Sequence, residues 1–173
     1  MKWMVIFVSC MCWAQQGPDL PPEAAQLDWF IGEWDLTSKS LRRDGSYTSH
    51  KATSTVYRAL DGYALLDEFR AYNDQNQVVF RGVSFRTYIP ETGKWAIKWV
   101  MANEAGMTDL TAEYKNGELV MEGKGSDGMG AFLERAVYYN ISADHYSFKL
   151  DRSYDGGKTW IKGMNLIEAT RIN

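Results

Sequence analysis

Lys94-Trp95-Ala96-Ile97-Lys98-Trp99-Val100-Met101-Ala102-Asn103 decides the fold. Trp95, Ile97, Trp99 and Met101 fall on one side of an extended chain, and Ala96, Lys98, Val100 and Ala102 on the other. That period of two is the mark of a β-strand. Pro90-Glu91-Thr92-Gly93 closes the preceding run, and Lys115-Asn116-Gly117-Glu118 follows the next one, Met107 to Tyr114. Asn-Gly between two apolar runs is the strongest short-range hairpin signal.

On both sides the pattern repeats. Towards the N-terminus come Trp34 to Leu41, Tyr47 to Leu60, Tyr63 to Tyr72 and Val78 to Ile89, separated by Arg43-Asp44-Gly45-Ser46, Asp61-Gly62 and Asn73-Asp74-Gln75-Asn76. Towards the C-terminus come Leu119 to Gly123, leading into a glycine-rich stretch over Gly123 to Gly130, then Ala131 to Ile141, His145 to Ser153 and Thr159 to Arg171. Extended runs at regular spacing with short turns predict an all-β domain. No helical period survives past residue 31, so no βαβ crossover is available and the sheet is antiparallel. The expected fold is a single antiparallel up-and-down β-barrel of about ten strands, because closure removes exposed edges. A two-sheet sandwich is the alternative, and its crossings need longer connections than these.

Before the strands, Glu23 to Ile31 reads as one short helix, with Pro22 in its first turn and Gly32 at its end. Gln15 to Pro22 holds Pro18, Pro21, Pro22 and Gly17 and reads as a linker. Residues 1–14 read as a signal peptide: Lys2, then the apolar run Trp3 to Val8, with cleavage after Ala14. The expected domains are therefore 1–14 leader, 15–22 linker and 23–173 barrel, in a secreted or periplasmic protein. Cys10, preceded by Val8-Ser9, offers a lipid-anchored mature end as the lesser alternative. The apolar run is too short for a stable membrane span. Both cysteines, Cys10 and Cys12, fall in the leader, so the mature chain has no disulfide and no thiolate metal site. A net charge of −3 without a basic run argues against nucleic acid as a partner.

Phe30-Ile31-Gly32-Glu33-Trp34-Asp35-Leu36 resembles the start of calycin barrels, the lipocalin and fatty-acid-binding group, where a short helix precedes Gly-x-Trp on the first strand. With Leu27-Asp28-Trp29-Phe30-Ile31 ahead of it, the segment is most similar to DUF1579, a family of uncharacterised bacterial proteins. The resemblance runs from Leu27 to Arg171 and implies that Trp34 packs at the closed end under Arg171 of the last strand.

Sets of residues with recognisable chemistry are few. His50 and His145 stand far apart, and the glycine-rich entry of the haem-holding nitrobindin-type barrels is replaced by Asp35-Leu36-Thr37-Ser38. Two distant histidines without cysteine make no usual zinc site. No cofactor and no metal is therefore expected. Ser153-Tyr154-Asp155-Gly156-Gly157-Lys158-Thr159-Trp160 matches an Asp box and reads as a hairpin device, with Asp accepting from turn N–H groups. No Gly-x-Ser-x-Gly elbow occurs.

Charges inside apolar strands are the remaining signal: Asp67, Glu68, Arg70, Arg81, Arg86, Lys98, Glu134, Arg135 and Glu168. If the Phe69 face of its strand is outward or packed by the N-terminal helix, Glu68 and Arg70 look into the barrel together. The Trp95, Ile97, Trp99 and Met101 face, with Tyr88, Phe85, Tyr138 and Met164, makes an aromatic, Met-containing cavity. Arg135 is a further charged candidate there. Such a lumen suits a small apolar or amphipathic ligand, oriented by a few charges. Two other functions share the fold: a lumenal isomerase, cyclase or hydrolase using Glu68 with Arg70 or Arg135, and a structural barrel with a filled interior.

Overall fold

Ten antiparallel strands follow one another around a closed barrel in chain order. They are β1 (Gly32–Leu41), β2 (Tyr47–Ala59), β3 (Ala64–Tyr72), β4 (Val78–Ile89), β5 (Lys94–Met101), β6 (Met107–Lys115), β7 (Glu118–Asp127), β8 (Gly130–Tyr139), β9 (His145–Ser153) and β10 (Ile161–Arg171). The barrel closes where β1 meets β10, with Trp34 opposite Arg171 and Ser40 opposite Asn165. This computed structural model describes residues 20–102 and 106–172. The expected leader, its Cys10 alternative and residues 15–19 of the expected linker lie outside the described residues. No described helix is long and apolar enough to cross a membrane.

The turns obey their residue chemistry. Asn116 and Gly117 both take positive φ, 53° and 82°, as a two-residue hairpin with the twist of its strands demands. The Asp box links β9 to β10. Asp155 accepts from the Ser153 hydroxyl (2.8 Å) and from the Thr159 amide (2.9 Å) and hydroxyl (2.6 Å), while the Gly157 amide donates to Ser153 Oγ (2.9 Å). Bonds from Thr159 and Ser153 lower the Asp155 carboxyl from 3.8 to about 2. A carboxyl lowered by folding stabilises the native state above its unfolded value, and that contribution disappears as pH falls through the folded one. The Asp155 carboxyl carbon is therefore expected to titrate near pH 2 by NMR. Titration at the ordinary 3.8 would mean that the turn is not closed around it.

The glycine-rich stretch is not the turn that its composition suggests. β7 runs through it to Asp127, and the turn lies between Asp127 and Gly130. A Cβ on Gly123 would stand 2.2 Å from the Asp109 carbonyl, and one on Gly125 would stand 2.6 Å from the Phe132 ring. These glycines admit close neighbours in the middle of a sheet, and turning is not their role.

One end of the barrel is plugged. Pro22–Phe30 forms a short 3₁₀ helix, kinked at Leu27, and drives Leu27 and Phe30 into the core. The Phe30 ring meets Tyr138 (5.4 Å between centroids) and Tyr146 (5.6 Å), and Trp34 meets Tyr146 (4.8 Å). Trp34 Nε1 donates to the Phe30 carbonyl at 2.9 Å. The Arg171 guanidinium lies 4.2 Å over the Trp34 ring and donates to the carbonyls of Ile31 and Trp29, each at 2.6 Å, and of Ala143. Arg171 thus ties the helix end, the β8–β9 turn and the first strand into one closure. On the other side, Trp95 Nε1 donates to Gln26 of the helix at 3.2 Å.

Candidate functional site

Above that plug the barrel is not filled. A cavity of about 390 Å³ lies inside it and extends towards the end opposite the helix. Alternation supplies its wall, since every second residue of each strand points inward. Phe69 of β3, Phe80 of β4 and Trp99 of β5 make an aromatic side. Phe69 stands edge-on to both of the others, while the Phe80 and Trp99 rings lie near parallel, 18° apart with centroids at 6.3 Å. Ile97, Leu110, Met121, Leu150 and Ile167 make an aliphatic side. Ser40, His50, Val79 and Asn165 sit towards the open end.

The aromatic side depends on Gly82. This residue faces inward between Phe80 and Ser84, and a Cβ placed there would stand 2.4 Å from Trp99 Cζ2. The missing side chain leaves room for the indole to pack against β4.

Two charged clusters line the same cavity. The floor cluster is Asp67, Arg86 and Tyr138, held by Ser54 and Ser84. Asp67 Oδ2 accepts from Arg86 Nη2 (3.1 Å) and from Ser84 Oγ (3.3 Å), and its Oδ1 accepts from the Ser54 hydroxyl. Arg86 Nε donates to Ser84 Oγ (3.0 Å), and Nη2 donates also to the Tyr138 hydroxyl (2.9 Å). The side chains of Arg86 and Asp67 are only 3% and 8% exposed. The guanidinium also lies 4.4 Å over the Phe30 ring, so the helix presses directly on the pair. Arg86 Nη1 is buried with no hydrogen-bond partner among the described residues. Burial pushes the Tyr138 phenol up, and the Arg86 cation pulls against it.

The second cluster stands nearer the open end, where β7 and β9 finish. Arg152 donates to Glu134 Oε2 from Nη2 (2.6 Å) and Nε (3.1 Å), and to Asp127 from Nη1 (2.9 Å). The Tyr154 hydroxyl donates to Asp127 at 2.7 Å, and Arg152 stacks 3.7 Å over the Phe132 ring. Burial pushes the Glu134 carboxyl up, against the pull of Arg152 and with the help of the negative Asp127. Asp127 is lowered: burial opposes this, and bonds from the Tyr154 hydroxyl, the Met129 amide and Arg152 outweigh it.

The residues singled out in the sequence divide sharply. Trp99, Met101 and Tyr138 line the cavity. Trp95 shares their face but sits lower, 2% exposed in the plug and beside the Tyr88 ring. Trp34 and Arg171 lie together at the closed end. Glu68 and Arg70 lie on the outer wall, paired at 2.7 Å and more than a third exposed. The Phe69 face is the inward one, which carries Leu65, Asp67 and Ala71 with it. Phe85 alternates with the inward Ser84 and Arg86 and so falls outside, opposite Leu66 and Lys98. Arg135 is external too, 4.1 Å over the Trp160 ring and 3.3 Å from Glu122. Met164 is not in the lining: the register shifts between Ile161 and Asn165, and Asn165 and Ile167 take the inward places.

His50 lines the cavity, whereas His145 lies outside it, 3.4 Å from Glu168. Among the described residues, no three His, Cys, Asp or Glu side chains gather to hold a metal ion. Asp67, Arg86 and Glu134 stand among the strand charges of the sequence without having been placed in the lumen, and Arg152 is a lumen charge that the sequence reading did not single out. The greater apolarity of the Leu65-Phe69-Ala71 face was the available signal for Asp67.

No family model and no curated protein matches the chain. Among solved structures, Rv2717c from M. tuberculosis is similar, with a TM-score of 0.64 at 12% identity over 90% of this chain and 100% of that one. The S-type phycobiliprotein lyase CPES from Guillardia theta is similar at 0.56 and 13% identity, over 86% of this chain and 91% of that one. At such identities the likeness is one of fold, a ten-strand barrel of calycin-like architecture.

Proposed function

We propose that this barrel binds a small, mostly apolar molecule in its lumen. The observation that carries the reading is the cavity of about 390 Å³, with an aromatic and an aliphatic wall and a few buried polar groups. A barrel acting only as structure fills that space with side chains, and small-molecule sites have this volume and this mixed lining. The similar barrel of a phycobiliprotein lyase supports a small-molecule role by analogy of fold. Binding is favoured over catalysis because both lumenal carboxylates, Asp67 and Glu134, are committed to arginines and neither stands ready to take a proton from a substrate. The reading includes membership of DUF1579, suggested by Leu27 to Trp34, and work outside the cytoplasm after loss of residues 1–14.

Titration with N-phenyl-1-naphthylamine, an uncharged fluorescent probe, is expected to give saturable, blue-shifted emission. In Gly82→Leu the new side chain drives Trp99 into the lumen, and affinity is expected to fall by about ten-fold or more. Near-ultraviolet circular dichroism checks that the barrel persists. Equal affinity in the folded variant would place the probe elsewhere and refute the lumen as its site.

A further inference from the structure

We infer that the lumen selects an uncharged, planar molecule bearing a hydrogen-bond acceptor, of the aryl ketone type, over the matching carboxylate. This rests on the lumen being a ligand site, as proposed above, and adds the chemistry of the ligand.

The acceptor follows from Arg86. Its Nε and Nη2 are engaged by Ser84, Asp67 and Tyr138, and Nη1 is buried with no acceptor among the described residues. Arg86 lines the cavity, and Nη1 itself is fully covered, so an acceptor reaches it through a small shift of the guanidinium. A donor left without a partner in a desolvated site is costly, so a ligand oxygen that meets it gains more than it would from a solvated donor.

Neutrality follows from Asp67. The Arg86 cation is already balanced by a carboxylate 3.1 Å away, itself 8% exposed. A carboxylate ligand brought to Arg86 would set a second anion beside Asp67 in a site with little water to screen it, and burying such an uncompensated charge is expensive. The upper cluster offers no relief, because Glu134 and Asp127 together outnumber Arg152. A ketone accepts the same hydrogen bond without bringing a charge.

Planarity follows from the wall. Trp99 packs against Gly82 of β4 with its ring near parallel to that of Phe80, and a flat aromatic ligand stacks on such a surface.

Calorimetric titrations of the intact protein with 2-acetylnaphthalene, 2-naphthoate and 2-ethylnaphthalene test the inference. These share a ring system and differ in acceptor and charge. The ketone is expected to bind about ten-fold tighter than the carboxylate and measurably tighter than the hydrocarbon. In Asp67→Asn, which removes the competing anion and keeps one of the two acceptor oxygens that Ser54 and Ser84 use, 2-naphthoate is expected to gain about ten-fold relative to the ketone. If the native protein binds 2-naphthoate as tightly as the ketone, or the hydrocarbon as tightly as the ketone, the ligand chemistry is overturned and lumenal binding survives. A folded Asp67→Asn protein with no gain for 2-naphthoate relative to the ketone overturns the ligand chemistry in the same way. If none of the three binds and N-phenyl-1-naphthylamine also fails, the binding reading itself falls. The native order of affinities decides the matter even if Asp67→Asn does not fold.

Discussion

Arg86→Leu is expected to lower the stability of the barrel by about 3–5 kcal/mol, and the double substitution Asp67→Asn with Arg86→Leu to restore most of that loss. The single change removes the cation and leaves the Asp67 carboxylate buried at the floor with only the Ser54 and Ser84 hydroxyls to solvate it. Two hydroxyls do not replace a guanidinium, and an unpaired buried charge is what makes the loss large. The Tyr138 hydroxyl loses a donor at the same time. The double change removes both charges, leaving an amide among hydroxyls, and a buried ion pair exchanged for neutral groups is often close to neutral in stability. Urea unfolding of the four proteins in this cycle measures the coupling. Additive effects would mean that Asp67 and Arg86 do not act as a pair.

Trp34→Ala is expected to cost about 3–5 kcal/mol, the range for removing a large buried aromatic. Trp34 is wholly buried. Its indole is held from one side by Tyr146, capped by Arg171, and tied to the helix by the bond from Nε1 to the Phe30 carbonyl. Losing it opens a hole under the plug and frees Arg171 from its ring. The loss therefore has two parts, a cavity and a broken closure. In Trp34→Phe the cavity is smaller and a ring face remains for Arg171, while the Nε1 bond is gone, so most of the loss is expected to be recovered. Thermal unfolding of the three proteins checks the order. A Trp34→Phe protein no more stable than Trp34→Ala would show that the Nε1 bond, and not ring packing, holds the end closed.

The architecture was legible because β-strands write it twice, in alternation and in turn residues. Trp95-Ile97-Trp99-Met101 gave an inward face, and Asn116-Gly117 gave the hairpin that follows. Each connection is short, so chain order became neighbour order and only closure had to be inferred. The glycine run misled because glycine has two uses. Composition alone does not separate a turn from a strand squeezed by Phe132 and Asp109.

The site was less legible, because inside and outside differ by one residue of phase. In β3 both faces carry charge, Asp67 on one and Glu68 with Arg70 on the other. Charge alone therefore does not orient the strand, although the more apolar company of Asp67 does. In β4 two of the inward positions, Ser84 and Arg86, are polar, and the apolar Phe85 between them is displaced to the outer wall. An ion pair buried in the lumen inverts the rule that apolar residues mark the inside. The pair itself joins residues 19 positions apart, and Tyr138 reaches it from 52 positions away. Only the sheet register and the closed barrel bring these groups together.

Methyl NMR of the eight methionines reads directly whether the lumen is open space that holds a small molecule, since Met101 and Met121 line the cavity and Met164 does not. On addition of N-phenyl-1-naphthylamine, the Met101 and Met121 methyl signals are expected to move through ring-current shifts while that of Met164 stays in place. Movement at Met164 with Met101 and Met121 unchanged would put the probe on the outer wall and refute binding in the lumen.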